Sequence, residues 1–583
     1  MITILTRSLL SATALCAVAL TSPVAQESPI DDLTPVTDEM LRNPADGDWL
    51  MWRRTYNGWG YSPLNQINKD NVADLELAWS WAMTPGRTEE TPLAHDGILY
   101  ITNHAHKTQA FDGATGDLIW EYQYELPEGA DTPRGMRSKT IYGDNLIMAT
   151  SDAHLIAVNA KTGDLVWDVQ VANYEHGWGY SSGPIVADGV ILQGMTSCGN
   201  AQPGGCFITG HDVETGEELW RVHTIARPGS PGGDSWNGLP LESRYGGSAW
   251  ISGAYDPEQK LAFFGVGQPY PWIAEINGLL PESSDPGVTN DALYTNSTLA
   301  INIETGELAW YYQHLPTDSL DLDHVYERML IDLPVDGEER KLVVSTGKIG
   351  IIEALDRTTG EYVWASGPTV PQNVIDDIDP VTGAKTINAA VVPKIGETTV
   401  NCPADPGGRA WPATAYSPDT QALYLPLTEF CSNTTPEPLD AGQIYTGGGR
   451  ATFARVPVPD SDGNPGSIDA VKLTDQSELW TFRQRSPMAS ATLPTGGGLV
   501  FAGDYNRYFR AFDADTGDVL WETRAPNSLN SFPITYEADG KQFVAVVANS
   551  GSGQLRSWGS VAPEIQVPSD QGTTLMVYAL PEE

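Results

Sequence analysis

Residues 511–521, AFDADTGDVLW, decide the fold, because close copies of this stretch recur along the whole chain. Each copy reads as a strand ending in an apolar pair, a tight turn, and a second strand ending in tryptophan. Asp513 can hydrogen-bond the turn backbone, and Gly517 supplies the positive φ that lets two antiparallel strands reverse. Trp521 is large enough to reach from one sheet to the next. Such a unit cannot bury its own faces, so it requires neighbouring copies to cover them.

The series begins after Asn71 with the degenerate ADLELAW, which ends at Trp79. AFDGATGDLIW, AVNAKTGDLVW and GHDVETGEELW follow, closing at Trp120, Trp167 and Trp220. After a longer gap come AINIETGELAW at Trp310 and ALDRTTGEYVW at Trp364; a second long gap leads to the weaker AVKLTDQSELW at Trp480, and Trp521 closes the set. That makes eight copies. The close spacings, 47 residues from Trp120 to Trp167 and 53 from there to Trp220, suit a four-stranded blade. The expected fold is therefore all-β, a single eight-bladed β-propeller with tryptophan-docking repeats over residues 26–583. Two separate four-bladed or sandwich domains fit less well, since no linker-like stretch divides the repeats. The abundance of tryptophan (18), glycine (58) and proline (42) favours short strands and sharp turns over long helices. The two long gaps must carry insertions, the usual place for a binding site on such a scaffold.

A formal charge of −42 argues against nucleic acid or an anionic membrane surface as partner. Residues 1–25 place one basic residue, Arg7, before a largely apolar run from Leu9 to Leu20 and small residues up to Ala25, the pattern of a secretory leader cut before Gln26. The expected mature protein is soluble and exported to the periplasm. Cys16 falls in the leader, and the other four cysteines are expected to pair as Cys198 with Cys206 and Cys402 with Cys431. No CxxCH is present, so covalent c-type haem is not expected, and no glycine-rich phosphate loop supports a nicotinamide or flavin enzyme. The short GGG at Gly447 to Gly449 reads as a turn.

From about Pro35 onward the chain resembles the quinoprotein alcohol dehydrogenases, whose blades carry this tryptophan-docking repeat. Within that family it looks closest to the sorbose/sorbosone and bulky-alcohol types and more distant from methanol dehydrogenase. The resemblance implies pyrroloquinoline quinone and a metal ion at the centre of the propeller. It places the chemistry in LPTDSLDLDH, residues 315–324, where Asp321 matches the catalytic aspartate and would take the alcohol proton. Asp323 lies two residues on, so on an extended segment it would point the same way, about 6.6 Å along. Two converging carboxylates repel unless a cation sits between them. An acid at this second place resembles the lanthanide-using members. The competing reading of Asp318, Asp321 and Asp323 is an acidic surface loop.

The remaining implied residues match in part. Gln268, in GVGQPYPW, stands where the family has an asparagine metal ligand, and its amide oxygen suits a hard cation equally well. The family's glutamate ligand has no counterpart near Gly199; Asn200, Gln202 or water could replace it. Losing that acid while gaining Asp323 leaves the ligand charge of a calcium-type site, so calcium and a lanthanide both remain open. Trp250 matches the indole that stacks on the quinone, and Lys348 a basic residue near its oxygens. Arg134 matches an arginine that pairs a cofactor carboxylate. Ser181, Thr196 and Ser248 match hydroxyl positions around the same ligand. The vicinal cysteine pair of methanol-type members is absent from ELPEGADTP ahead of Arg134. Thr428 and Ala489 stand where relatives carry asparagine and tryptophan, which implies a roomier substrate entrance. The implied function is a periplasmic alcohol dehydrogenase that passes electrons to a separate cytochrome c. The alternative is a non-catalytic propeller that scaffolds protein assembly; a scaffold has no need for Asp321, Lys348, Arg134 and Trp250 together.

Overall fold

The structure is a computed structural model that describes residues 29–130, 136–199, 201–335, 337–440, 450–549, 551, 553–568 and 572–582. The expected leader, Arg134, Asn200 and the Gly447–Gly449 turn lie outside the described residues. Those that are described fold as an all-β, propeller-like assembly containing eight four-stranded antiparallel sheets, with one two-stranded and one three-stranded sheet beside them. The longest described helix, Gly553–Val561, has nine residues, and no described helix is long and apolar enough to cross a membrane.

Each copy after the first supplies the third and fourth strands of a sheet. In the 511–521 copy these are Tyr508–Asp513 and Val519–Arg524. Asp513 Oδ1 accepts hydrogen bonds from the amides of Asp515 (2.8 Å) and Thr516 (3.2 Å), as its place in the turn suggests. Gly517, at φ 75°, donates to the Asp513 carbonyl. The second strand does not end at the tryptophan: Trp521 is its third residue, paired with Ala511 across a bulge between Ala511 and Phe512. The same bulge separates Ala110 from Phe111 and Ala157 from Val158. It adds local twist and turns the indole toward the neighbouring sheet.

The turn glycine has a second task that local propensity does not reveal. A Cβ on Gly116, Gly163 or Gly517 would lie 2.6, 2.8 or 2.6 Å from the indole of Trp79, Trp120 or Trp480, the tryptophan of the preceding copy. The indoles of Trp79, Trp120, Trp167, Trp220, Trp310 and Trp480 pack on the next turn's glycine, and all of these but Trp167, whose Nε1 has no hydrogen bond among the described residues, donate the N–H to a carbonyl there. Trp79 bonds Gly113 (3.1 Å), Trp120 bonds Ala160 (2.9 Å), Trp220 bonds Ile303 (2.8 Å), Trp310 bonds Arg357 (3.2 Å) and Trp480 bonds Ala514 (2.9 Å). Trp521 reaches the Leu75 carbonyl at 2.9 Å, inside the first copy and directly before its strand. That first copy, Glu76–Met83, is the outer strand of a sheet completed by Thr573–Ala579, Lys541–Ala548 and Ile534–Ala538, so the two ends of the described chain share one sheet.

Burial follows the same plan. All six residues of Ile98–Asn103 are buried, whereas the outer strand Leu118–Gln123 buries only Trp120. The two expected insertions fall in the long gaps, and the second forms the hairpin Ile375–Ile378 with Lys385–Ile387 and the sheet of Thr399–Asn401, Cys431–Pro436 and Ala451–Val456. Both expected disulfides are present, Cys198–Cys206 and Cys402–Cys431.

Gly163 and Gly189 both have positive φ, but a Cβ on Gly189 would meet nothing within 4 Å. Gly189→Ala should therefore cost only about 1–2 kcal/mol for its backbone conformation. Gly163→Ala should lose roughly 1–3 kcal/mol more, because the methyl group must displace Trp120. Parallel denaturation curves measure the difference; equal losses would show that the indole contact adds nothing.

Candidate functional site

In an antiparallel hairpin the start of the first strand and the end of the second lie at the same edge. The residues singled out from the sequence occupy such places in three successive sheets. Ser181 precedes Ile185–Ala187 and Thr196 follows Val190–Gly194; Ser248 and Trp250 precede Ala254–Asp256 and Gln268 follows Leu261–Gly265; Asp321 and Asp323 precede Met329–Val335 and Lys348 follows Glu338–Thr346. The hairpin topology places them at one edge of each of the three sheets.

Lys348 is the hub. Its Nζ lies 3.2 Å from Asp321 Oδ1 and 3.1 Å from Asp323 Oδ1, and it donates to the Asp321 carbonyl at 2.6 Å. Gln268 Nε2 donates to Asp321 Oδ1 at 2.5 Å, and Trp250 Nε1 to Asp323 Oδ2 at 2.8 Å. The two carboxylates converge as expected, but by a different route: Asp321 has φ 61°, so the segment is a turn and not extended chain. Gly267 permits the approach, since a Cβ there would stand 3.2 Å from both Asp323 Oδ2 and the Ser248 carbonyl.

The acidic stretch is not a surface loop. Asp318 and Asp323 are buried and Asp321 is half-buried. Asp318 shapes the loop, accepting from the amides of Leu320 and Leu322, each at 2.8 Å, and from Asn296 Nδ2 at 3.0 Å. Burial pushes its carboxyl up to about 6. Burial also pushes Asp321 well above the carboxylate range; the charge of Lys348 opposes this, while Asp323 and Asp405 add to it. Lys348 is itself desolvated, but the two aspartates outweigh that and hold it firmly protonated. One ammonium between two carboxylates leaves a negative charge uncompensated, so the site favours either a shared proton or a second cation.

The donor set fits a hard cation. Gln268 Oε1 is buried without a hydrogen bond among the described residues, and Asp323 Oδ1 has only the ion pair to Lys348. Two carboxylates and an amide oxygen are ligands that calcium or a lanthanide accepts. Of the candidates for the missing glutamate, Gln202 has a buried Oε1 without a hydrogen bond among the described residues, and its Nε2 donates to the His176 carbonyl at 2.5 Å. Its loop is closed by Cys198–Cys206 and tied to the Gln268 segment through Gly246, which donates to the Cys198 carbonyl and accepts from Cys206 N. The isolated bridge Gly246–Pro269 completes that link.

Three hydroxyl positions differ in what they offer. Thr196 Oγ1 donates to the Gly179 carbonyl at 2.7 Å, Ser181 contributes its carbonyl to Arg137, and Ser248 is buried beside the Gly267 amide. Arg137 and Trp411 were not singled out from the sequence. The Arg137 guanidinium pairs with Glu89 at 2.6 Å and lies 5.0 Å over the Trp250 ring and 5.7 Å over Trp411. The only hint was its place three residues after Arg134. Asp405 was also missed: it pairs with Arg455 at 2.8 Å, on a loop whose Gly407 packs against the Lys348 side chain.

The family profile described as "Glucose/ethanol/alcohol dehydrogenase, beta-propeller domain" matches residues 49–377 and 463–544. The chain belongs to the pyrroloquinoline-quinone-dependent quinoprotein alcohol dehydrogenases. It is 32% identical to the dehydrogenase subunit of an alcohol dehydrogenase (quinone) from Komagataeibacter europaeus, over 95% of this chain and 77% of that protein. A quinoprotein ethanol dehydrogenase from Pseudomonas putida is 30% identical over 97% of this chain and 96% of its own length. A europium-containing methanol dehydrogenase superposes with a TM-score of 0.83 at 26% identity, covering 93% of this chain and all of the other. Membership of this enzyme family disposes of the scaffold reading.

Removing the ammonium from between two carboxylates should be costly even before any ligand binds. Lys348→Met is expected to destabilise the apo-protein by about 2–3 kcal/mol, below the ~3–5 kcal/mol of a fully buried pair because Asp321 is partly solvated. The triple change Asp321→Asn, Asp323→Asn, Lys348→Met should regain most of it. Denaturant titration of the three proteins reads this; a triple variant as weak as Lys348→Met would show that the charge balance is not what matters.

Proposed function

We propose that this enzyme is a periplasmic dehydrogenase that oxidises a bulky, secondary or sugar-like alcohol to an aldehyde or ketone and passes the electrons to a separate cytochrome c. We read the eight sheets as the blades of one ring, with the site at its centre, and residues 1–25 as the leader that exports it. The convergence of Asp321, Asp323, Lys348, Gln268 and Trp250 at one point carries the reading. Trp250 would hold pyrroloquinoline quinone, which would supply the acceptor for hydride from the alcohol carbon.

The chain's own groups do the rest. Asp323, Asp321 and Gln268 would hold calcium or a lanthanide, whose charge lets Asp321 ionise despite its burial. Ionised, Asp321 takes the hydroxyl proton as the carbon–hydrogen bond breaks, so the alcohol leaves as a carbonyl compound with one proton on the carboxylate. Lys348 places fixed positive charge where negative charge develops in the transition state. Trp250 gives a flat apolar floor, and Arg134, Ser181, Thr196 and Ser248 would supply polar contacts at its edge. The roomier entrance rests on Thr428 and Ala489 standing where relatives carry asparagine and tryptophan; both are buried, Ala489 against Phe430, Tyr505 and Trp558.

Dye-linked alcohol oxidation with the quinone and either calcium, a lanthanide or no metal tests this. Asp321→Asn should lower kcat by roughly 10²–10⁴ while the quinone still binds. Asp323→Ala should abolish activity supported by a lanthanide. Failure to bind the quinone under any condition, or activity confined to methanol and ethanol, would contradict the proposal.

A further inference from the structure

Behind the aspartate loop lies a buried cluster that the chemistry above does not use: His314, His324 and Glu353, with Lys385. The two histidines bracket the loop, His314 directly before residues 315–323 and His324 directly after. Their rings stack face to face, with centroids 3.6 Å apart and planes 4° from parallel. His314 Nδ1 lies 2.7 Å from Glu353 Oε2, with His324 Nδ1 3.9 Å from the same oxygen. The outer ring nitrogens also have partners, Thr298 Oγ1 at 2.8 Å for His314 and Ser345 Oγ at 2.9 Å for His324. Glu353 Oε1 accepts from Tyr312 OH at 3.2 Å and is ion-paired to Lys385, whose side chain is 2% exposed.

Three histidine and glutamate ligand atoms this close invite a metal, but the geometry opposes one. Parallel rings aim their in-plane lone pairs side by side and not at a common point. The carboxylate already carries the Lys385 ammonium, and the Arg328 guanidinium donates to the His324 carbonyl at 2.5 Å. A stacked pair at the two ends of a nine-residue loop is instead a closure, since it fixes where the loop leaves the sheet and where it returns.

The closure touches both halves of the site. His324 follows Asp323 directly and packs on Gly347, where a Cβ would stand 2.5 Å from its Nδ1; the next residue is Lys348. Lys385 sits on the hairpin Ile375–Ile378 with Lys385–Ile387, inside the second insertion. That hairpin reaches the loop through Glu353 and through an apolar cluster that joins its Ile375, Ile378 and Ile387 to Leu315, Leu320 and Leu322.

We infer that His314 and His324 are positioning residues that clasp the aspartate loop at its base, locked by Glu353 and by Lys385 from the insertion, and so set the cation affinity of the Asp321–Asp323 site. This rests on the proposed reading of those aspartates as cation ligands. Groups that orient metal ligands from behind typically alter affinity 10–100-fold when removed.

The test is europium luminescence titration of the full chain with its quinone, alongside thermal melting without metal. His314→Ala should weaken europium binding about tenfold or more. Lys385→Met, on the insertion, should weaken it about fivefold or more, and Lys385→Arg should restore it to within about twofold. A loss of affinity that Lys385→Arg restores is not what general destabilisation produces. Unchanged affinity in both His314→Ala and Lys385→Met, with the wild type binding europium normally, overturns the clasp while leaving the metal site intact. A wild type that binds no europium or calcium overturns the metal reading itself, and the clasp's role with it.

Discussion

The packing of six repeat indoles on a glycine of the following repeat governs the structure. Trp120 on Gly163 and Trp480 on Gly517 need the missing Cβ as much as the left-handed turn. The indole N–H then closes on a carbonyl of that same turn, so each contact sets both the distance and the rotation between two sheets. With that rotation repeated, the ends of three successive hairpins reach one place. A misplaced sheet would spread Gln268, Asp321 and Lys348 apart even if each strand remained intact.

Electrostatics shapes what gathers there. The chain is strongly acidic, yet its central cations are buried with anionic partners: Lys348 with two aspartates, Arg137 with Glu89, Arg409 with Glu327 at 2.7 Å. Burial makes each uncompensated charge expensive, so partners are supplied in the fold. The Asp321–Asp323 pair carries one more negative charge than Lys348 neutralises. That surplus is the strongest physical argument for a bound cation. Asp318 shows the contrast: it is equally buried but spends its oxygens on backbone amides of the loop.

Much of this was legible in the sequence. The repeat is periodic, so the turn aspartate, the glycine and the tryptophan announced the sheets, and the two gaps announced the insertions. The two aspartates are legible as a pair, but the route is not: the spacing predicts an extended segment, whereas Asp321 adopts a left-handed conformation. What could not be read depends on contacts between distant segments. Nothing local tells that Glu76–Met83 pairs with Thr573–Ala579, or that Arg137 lies over Trp250 and Trp411. His314 and His324 carry no metal-binding spacing, and their stacking exists only because the loop between them returns to its start.

Anomalous diffraction from crystals of the enzyme grown with its quinone and either calcium or europium tests the central claim most directly. The account predicts one strong peak between the Asp321 and Asp323 carboxylates and the Gln268 amide, with the Lys348 ammonium moved away from between the two acids. Crystals containing the quinone but showing no peak there, with Lys348 still bridging both aspartates, would contradict it.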